Sequence, residues 1–261
     1  MNWYFYRVWI PLQILTVVSF LAIILGHIEV NWFLVFISWF LIGPIGTGVG
    51  YHRLFSHRQF ETWKPVEYLI ALLGTLAAYA PVLFWASQHQ YHHRVADTDK
   101  DPSSPTKFGF WESFLWWRMR QSVLKKIDLR NHPTRILLKD PVLMFLSKHF
   151  TKIIYATIII LSCIGFDWLV SLFVIPTFIE HQRVNLVSSA SHLNIPFSYK
   201  NFKTSDHGQN NVLLGYATMG FGWHNNHHAL PRKLINQERW WEVDIEGLIG
   251  HLLSKRYKND R

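Results

Sequence analysis

The segment that decides the fold is Gly222-Trp223-His224-Asn225-Asn226-His227-His228, in which three histidines occupy relative positions 0, 3 and 4. On an α-helix, at about 100° per residue, these side chains fall at about 0°, −60° and +40° and share one face. Three neutral imidazoles that converge from one face suit a transition metal such as iron, copper, nickel or zinc. The segment therefore predicts a metal-binding helix.

Two further segments carry the same kind of ligand. Residues 89–93 (HQYHH) repeat the 0, 3, 4 spacing, and residues 52–57 (HRLFSH) add a pair five positions apart. Eight histidines exceed the four to six ligands of one ion, so the pattern predicts two metals, and a redox pair of irons is favoured over zinc. In each triad, the histidines at relative positions 3 and 4 lie at opposite edges of the shared face and can bind different metals. His52 and His57 lie about 140° apart on an α-helix, so either the helix ends between them or they serve different metals.

The other histidines are weaker candidates. His192 lies where a fourth membrane span should emerge, which makes it a plausible ninth ligand. His181, beside Glu180 and Arg183, is expected at the membrane interface. The single cysteine, Cys163, excludes an intramolecular disulfide and a cysteine-rich metal site. The isolated histidines are expected to be ordinary surface or core residues: His27, His132, His149, His207 and His251.

The apolar residues gather into long runs, which is typical of a membrane protein. Residues 8–25 and 32–50 are uncharged, and each is close to the roughly 20 residues that cross a bilayer. Residues 145–165 and 168–187 form a second apolar pair, interrupted by Asp167, which costs less at a reversal than inside a span. The chain therefore predicts four transmembrane helices arranged as two hairpins. The N-terminal run has no cleavage site and is expected to be a retained span.

The expected fold is an all-α membrane protein in which a cytosolic helical cap, about residues 51–140 and 188–261, holds a di-iron centre. Residues 1–261 are expected to form one domain. Lys and Arg avoid both reversals, so the histidines and both termini are expected in the cytoplasm. The apolar run 66–87 should not cross the bilayer, because a single crossing would separate the first two histidine segments.

The net charge is positive, because 26 Lys and Arg residues outnumber 17 Asp and Glu residues. No zinc-finger spacing or RNA-binding signature accompanies this charge, so nucleic acid is not an expected partner. We expect basic residues on the histidine side to attract either anionic lipid headgroups or a small acidic electron carrier. The candidates follow the second histidine segment: Lys107, Arg118, Arg120, Lys125, Lys126 and Arg130.

Together the three segments resemble the histidine boxes of the integral-membrane fatty acid desaturases, the Δ9-type acyl-CoA and acyl-lipid enzymes. The flanking residues agree: 50–51 (GY), 101–105 (DPSSP), 210–211 (NN) and 240–244 (WWEVD). The resemblance covers about residues 40–252. It implies that two irons, O2 and two electrons introduce a cis double bond, near Δ9, into a saturated acyl chain. The implied iron ligands include the histidine after the fourth span: His52, His57, His89, His92, His93, His192, His224, His227 and His228.

The resemblance leaves the acyl carrier open between CoA, a carrier protein and a glycerolipid. It implies a separate electron donor of the ferredoxin or cytochrome b5 class. Ser188, Phe221 and Gln90 depart from residues common in the family, and none of them is an implied ligand. The ring orientation of the ligands should be fixed by neighbouring polar side chains, with five candidates: Asp97, Asp99, Asp101, Asn225 and Asn226.

Two other functions compete with desaturation. Related histidine boxes occur in di-iron hydroxylases and carotenoid-modifying oxygenases. The residue identities at 52–57 (HRLFSH) and the paired asparagines of the third box favour desaturation. A non-catalytic metal-binding or transport protein would carry charged residues inside its spans, and the first two spans carry none.

Overall fold

The computed structural model describes residues 5–119 and 134–257, in which the chain is mostly helical, as expected. The α-helices are α1 (Ile10–Ile24), α2 (Trp32–Phe40), α3 (Lys64–Leu76), α4 (Val82–Val95), α5 (Pro105–Phe108), α6 (Thr134–Leu137), α7 (Pro141–Lys148), α8 (Phe150–Ile164), α9 (Phe166–Leu169), α10 (Ile175–Ala190), α11 (Val212–Ala217), α12 (His224–Ala229) and α13 (Ile245–Leu253). The other helical segments are π-helical over Phe5–Trp9, Leu41–His57, Glu112–Trp116 and Val170–Val174, and 3-10 over Trp117–Met119. The strands pair as β1 (Phe60–Glu61) with β4 (Arg256–Tyr257) and as β2 (Ser198–Tyr199) with β3 (Asn210–Asn211), both antiparallel.

The first predicted hairpin corresponds to two helices. Among the described residues, Tyr6–Ile24 and Trp32–His57 are each long and apolar enough to cross a membrane. Asn31 begins the second helix, since its side chain accepts a hydrogen bond from the backbone N–H of Leu34 at 3.1 Å. The second helix is longer than the predicted 32–50, because it continues without a break through the first histidine box.

The π-helical geometry of Leu41–His57 overturns both alternatives expected for the first box. Hydrogen bonds in a π-helix join residues five positions apart, so side chains at that spacing lie nearly above one another. The hydroxyl of Ser56 donates to the carbonyl of Tyr51 at 2.6 Å, which is the same five-residue spacing. His52 and His57 therefore share a face and belong to one histidine group, and the helix does not end between them.

The apolar run 66–87 is not one continuous helix. It is divided between α3 and α4, with a break at residues 77–81 where Ala78 has a φ of 55°. The Nε2 atom of His181 lies 2.9 Å from the carbonyl oxygen of Ala77 at the end of α3. His181 is thus completely buried and contacts this break, while its position at the membrane interface stays a prediction.

The second apolar pair differs in its boundaries from the predicted 145–165 and 168–187. The first member is bent by 67° between α7 and α8, and up to three membrane spans result if this pair counts as one. The second member is a continuous helix through residues 166–190, formed by α9, a π-helical segment and α10. The reversal occurs at Gly165, as the sequence predicts.

The first-box helix packs closely against α3. A Cβ atom on Gly46 would lie 2.4 Å from the backbone nitrogen of Gly74, so only glycine permits this approach. The main apolar core includes side chains of this helix, of α4 and of α7, such as Tyr51, Trp85 and Leu143. This packing sets the position of the second box relative to the first.

A buried ionic network ties the C-terminal helix α13 to the same core. Glu246 accepts from Arg53 at 2.5 Å and from Arg183 at 2.6 Å, and Asp244 binds Arg53 through both carboxylate oxygens at 2.8 and 3.0 Å. Glu180 pairs with Arg183 at 2.8 Å. Because each of these charges has a partner, their burial is tolerated. The network connects the helix of the first box, α10 and the residues that follow the third box.

Candidate metal centre

Nine histidines from four parts of the chain meet in two adjacent groups, and within each group the potential ligand nitrogens lie within 4.8 Å of one another. The five-histidine group consists of His52, His57, His89, His93 and His227. The four-histidine group consists of His92, His192, His224 and His228. These are the nine histidines singled out in the sequence, including His192.

Both triads are divided between the two groups. In the second box, His92 points to the four-histidine group and its neighbour His93 to the five-histidine group. In the third box the assignment is reversed, with His227 in the five-histidine group and His228 in the four-histidine group. The outer members of each face thus reach different groups, as their helical angles of about −60° and +40° predict.

The nitrogen positions fit metal ions. Five Nε2–Nε2 separations lie between 2.8 and 3.1 Å: His52–His227, His57–His89, His89–His93, His93–His227 and His192–His224. Two imidazoles at right angles around one ion, with bonds of about 2.0–2.1 Å, would place their nitrogens about 2.9 Å apart. The Nε2 atoms of His92 and His228 are buried and have no hydrogen-bond partner. A metal would satisfy these lone pairs.

Three carboxylates orient the four-histidine group. The Nδ1–H of His92, His192 and His228 face Asp101, Asp97 and Asp206 at 3.0, 2.7 and 3.0 Å, respectively. Such a bond holds the proton on Nδ1 and leaves Nε2 as the metal ligand. Among the described residues, no carboxylate is bonded to a ring of the five-histidine group. The two groups therefore differ in the partners of their rings, because carboxylates orient rings in only one of them.

The prediction of polar side chains that fix the orientation of the histidine rings is correct only in part. Asp97 and Asp101 bind histidines, but Asp99 lies at the surface and pairs with Lys107 at 3.1 Å. Asp206 was not identified from the sequence, because it lies in an irregular loop between His192 and the third box and no spacing marks it. Its role depends on the folded position of that loop.

The two asparagines of the third box hold the box in place. The side-chain oxygen of Asn226 accepts from Asn201 at 2.9 Å and from Asn210 at 2.8 Å, and its nitrogen donates to Glu242 at 2.9 Å. The side-chain oxygen of Asn225 accepts from the backbone N–H of Asn201. These bonds fix the short helix α12, which is too short to be rigid by itself.

Burial favours the neutral form of most of these histidine rings, and the neutral form is the one that binds metal. It lowers the pKa of five rings outside the proposed spans: His89, His93, His224, His227 and His228. Burial also lowers the pKa of His92, but the Asp101 carboxylate outweighs it and raises that pKa. For Asp97 burial raises the pKa, while the hydrogen bond from His192 reverses the effect and lowers it. Asp97 is therefore an anion at neutral pH.

The three departures from the family pattern are integrated into the site. The side-chain nitrogen of Gln90 donates to the carbonyl of Ser56, which joins the second box to the first. The Phe221 ring lies 4.8 Å from the His52 ring, centroid to centroid. The Ser188 hydroxyl donates to the carbonyl of Val184 at 2.8 Å. None of the three side chains belongs to a histidine group.

A small cavity of ≈ 30 Å³ adjoins both groups. It contains His89 and His224, and its apolar walls were not identified from the sequence: Tyr79, Trp85, Trp117, Val184, Val187 and Phe221. About 10–15 Å³ of such cavity space holds one water molecule, so this cavity has room for about two. A longer ligand would therefore have to displace these side chains.

The expected basic surface after the second box is only partly described. Arg118 is buried, since its guanidinium lies 3.9 Å from the centre of the Tyr79 ring and donates to Asn185 at 2.7 Å. Its predicted exposure is therefore wrong. Lys107 is at the surface, and the other four candidates lie outside the described residues: Arg120, Lys125, Lys126 and Arg130.

Comparison with known proteins agrees with these observations. The family model for fatty acid desaturases matches residues 30–241. The chain is 34% identical over 220 residues to the sn-1 stearoyl-lipid 9-desaturase of Anabaena variabilis, covering 83% of this chain and 78% of the relative. It is 34% identical over 216 residues to the sn-2 palmitoyl-lipid 9-desaturase of a Nostoc strain (81% and 74%) and 32% identical over 213 residues to the acyl-CoA 5-desaturase AL21 of Anemone leveillei (81% and 65%).

The family match includes all nine histidines, both triads and the loop that supplies Asp206. The chain belongs to the fatty acid desaturase family.

Proposed function

We propose that this protein is a membrane fatty acyl desaturase that introduces a cis double bond at the Δ9 position of a saturated acyl chain. In the balanced reaction, –CH2–CH2– + O2 + 2 e⁻ + 2 H⁺ gives –CH=CH– + 2 H2O. The observation that carries the proposal is the convergence of nine histidines in two adjacent groups. The names of the two cyanobacterial relatives support the Δ9 position and a lipid-bound acyl chain. The name of the Anemone leveillei relative supports a CoA-bound chain and gives a Δ5 position.

We infer that the nine histidines bind two iron ions, one in each group. When bound, this pair would supply the oxidant for an unactivated C–H bond, which acid–base groups cannot break. The imidazoles hold the ions without neutralising their charge, and Asp97, Asp101 and Asp206 orient three of the rings. Once its side chains are displaced, the cavity beside His89 and His224 would receive the reacting methylenes and exclude water.

We further propose that the chain is one domain with four spans and that its histidines and both termini face the cytoplasm. The two apolar N-terminal helices, the bent pair α7–α8 and the continuous helix 166–190 support four spans. Labelling tests the sidedness in a Cys163→Ser background, because Cys163 is the only cysteine. Single cysteines at Thr62 and Gln88 should react from the same side of the membrane. Reaction from opposite sides would contradict the arrangement.

The activity is tested by expressing the chain in a host that lacks Δ9 desaturation. Acyl chains should gain one cis double bond between carbons 9 and 10, mapped by mass spectrometry of derivatives. His192→Ala should abolish this product, whereas His27→Ala, at an exposed histidine outside both groups, should retain it. A hydroxylated product, or no product from a correctly inserted and iron-loaded chain, would refute the proposal. Separating the lipid and CoA pools identifies the acyl carrier.

A further inference from the structure

A surface beside the third box combines cations with aromatic rings. We call it the aromatic–basic patch. Its centre is formed by Tyr199, Arg239 and Trp241, whose side chains contact one another. The exposed neighbours in the same two chain segments, residues 199–206 and 231–241, complete it: Lys200, Lys203, Arg232 and Trp240. The Trp240 side chain is 89% exposed, which is unusual for the largest apolar side chain. Exposed tryptophan and arginine side chains are enriched at sites of protein association. The patch thus has the composition of a binding surface.

The exposed charge of this patch is positive. Lys200, Lys203, Arg232 and Arg239 are all exposed. The acidic residues of the same loops do not compensate for them at the surface. Glu242 is buried and accepts from Tyr199 at 2.6 Å, and Asp206 accepts from His228. Lys233 is paired with Glu238, so this pair adds no net charge. An acidic partner would be attracted.

A continuous series of aromatic rings leads from the patch to the third box. The ring centroids of Tyr199 and Trp241 are 5.4 Å apart, and those of Trp241 and Trp223 are 5.8 Å apart. Trp223 is completely buried and directly precedes His224 of the four-histidine group. The guanidinium of Arg239 lies 4.7 Å from the Tyr199 ring. The rings therefore form a contiguous path from the exposed patch to the residue before His224.

Hydrogen bonds follow a second short route. The Nε of Arg239 donates to Asn201 at 2.8 Å, and Asn201 donates to Asn226 at 2.9 Å. Asn226 lies between His224 and His227, which belong to different histidine groups. A single residue, Asn201, therefore lies between Arg239 and the third box, which contributes histidines to both groups.

We propose that the aromatic–basic patch is the docking and electron-entry site for an acidic one-electron carrier protein. The inference rests on the proposed function, which consumes two electrons per double bond. A reduced carrier of this class loses one electron at each encounter, so two successive dockings supply one turnover. Positive charge on the patch steers the acidic carrier, while Trp240 supplies apolar contact area. A membrane surface is the alternative partner for exposed tryptophan, but it would give no reason for the routes to the third box.

The test uses the iron-loaded protein in phosphatidylcholine nanodiscs, with a plant-type [2Fe–2S] ferredoxin as the probe. The double variant Lys203→Glu/Arg232→Glu reverses two cations for which the structure gives no side-chain partner among the described residues. Arg135→Glu/Lys139→Glu makes the same charge change at exposed positions elsewhere and is the matched control. Affinity for oxidised ferredoxin, ferredoxin-driven turnover and dithionite-driven turnover are measured at low and high salt.

The patch variant should bind ferredoxin more weakly and turn over more slowly with it, by about tenfold at low salt. The difference should shrink near 0.15 M salt, where the Debye length is about 8 Å. Dithionite-driven turnover should be unchanged, and the control should resemble the wild type. Trp240→Ala should also weaken ferredoxin binding. If the wild type formed no product with dithionite, this result would count against the proposed function. The affinity for oxidised ferredoxin would still test the docking proposal independently.

Two results would overturn the docking proposal. One is unchanged ferredoxin affinity and turnover in the patch variant. The other concerns Trp240→Cys in the Cys163→Ser background, labelled with an environment-sensitive fluorophore. The proposal would be overturned if this fluorophore reported burial in lipid and its emission did not change when ferredoxin was added. The second result would assign the patch to the lipid headgroup region. A loss of ferredoxin binding in Lys107→Glu, without one in the patch variant, would place docking on the surface after the second box.

Discussion

Substitution of Asp97 by asparagine should weaken one metal site and spare the other. The Oδ2 atom of Asp97 accepts from His192 Nδ1 at 2.7 Å and from the backbone N–H of His207 at 2.8 Å. Its Oδ1 atom accepts from the hydroxyl of Ser104 at 2.8 Å. An asparagine can place its oxygen towards His192 and its amide towards Ser104, whose hydroxyl also accepts. Asp97→Asn therefore preserves the geometry and removes the charge.

The magnitude follows from this loss of charge. A hydrogen bond to a charged group contributes about 1.5–3 kcal/mol and a neutral one about 0.5–1.5 kcal/mol, so the difference is about 1–1.5 kcal/mol. At about 1.4 kcal/mol per factor of ten, that is roughly a tenfold loss of metal affinity. Asp97→Ala, which also removes the bond, should approach the hundredfold loss that is the upper range for such partners. Only the four-histidine group should respond, because Asp97 bonds to none of the other five rings.

Iron content measured by mass spectrometry after equilibration with a graded chelator tests this prediction. The wild type should retain two irons per chain at chelator concentrations where Asp97→Asn retains one. Asp99→Asn is the matched control, because it makes the same change in the same loop at a surface carboxylate that contacts no histidine. Equal loss of both irons in Asp97→Asn, or unchanged affinity for both, would refute the role assigned to this carboxylate.

Three further predictions concern stability. Glu246→Ala should destabilise the protein by about 3–5 kcal/mol, since it leaves Arg53 and Arg183 buried without a shared partner; Lys64→Ala, which removes a surface ion pair, should cost at most about 1 kcal/mol in the same thermal unfolding assay. Gly46→Ala should cost about 1–3 kcal/mol, because its Cβ would overlap the backbone of α3, and a melting temperature equal to that of the wild type would contradict this packing. Complete removal of metal should lower the melting temperature, because an ion present at one hundred times its Kd stabilises the folded state by about 2.7 kcal/mol; equal melting temperatures with and without iron would show that the histidine groups bind no metal in the folded state.

Local spacing was sufficient to identify histidines that converge in two groups but not the geometry of the first box. The 0, 3, 4 triads are periodic, and their angles correctly place neighbouring members in different groups. The five-residue spacing of His52 and His57 is interpretable only if the helix type is known. Residues 41–57 contain Pro44 and four glycines, which disfavour a regular α-helix but do not specify a π-helix.

Residues that act through contacts across the chain could not be predicted. Asp206, His181 and Arg118 acquire their roles from segments far away in sequence: the third box, the break after α3, and Tyr79 with Asn185. An arginine among tryptophans is a typical interfacial pattern, and the sequence contains no sign that this one is buried. Of the expected electron-carrier surface, the structure therefore contradicts only the exposure of Arg118.

The division of both triads has a consequence for how the two metal sites depend on each other. His92 and His93 are neighbours on α4 but serve different groups, and the same holds for His227 and His228 on α12. Any displacement of either helix therefore moves ligands of both groups together. The carboxylates differ, because each acts on a single ring. A substitution that shifts α12, such as Asn226→Ala, should lower the affinity for both irons, whereas Asp206→Asn should lower only one. If Asn226→Ala removed a single iron in the chelator assay, the shared helices would not couple the two sites.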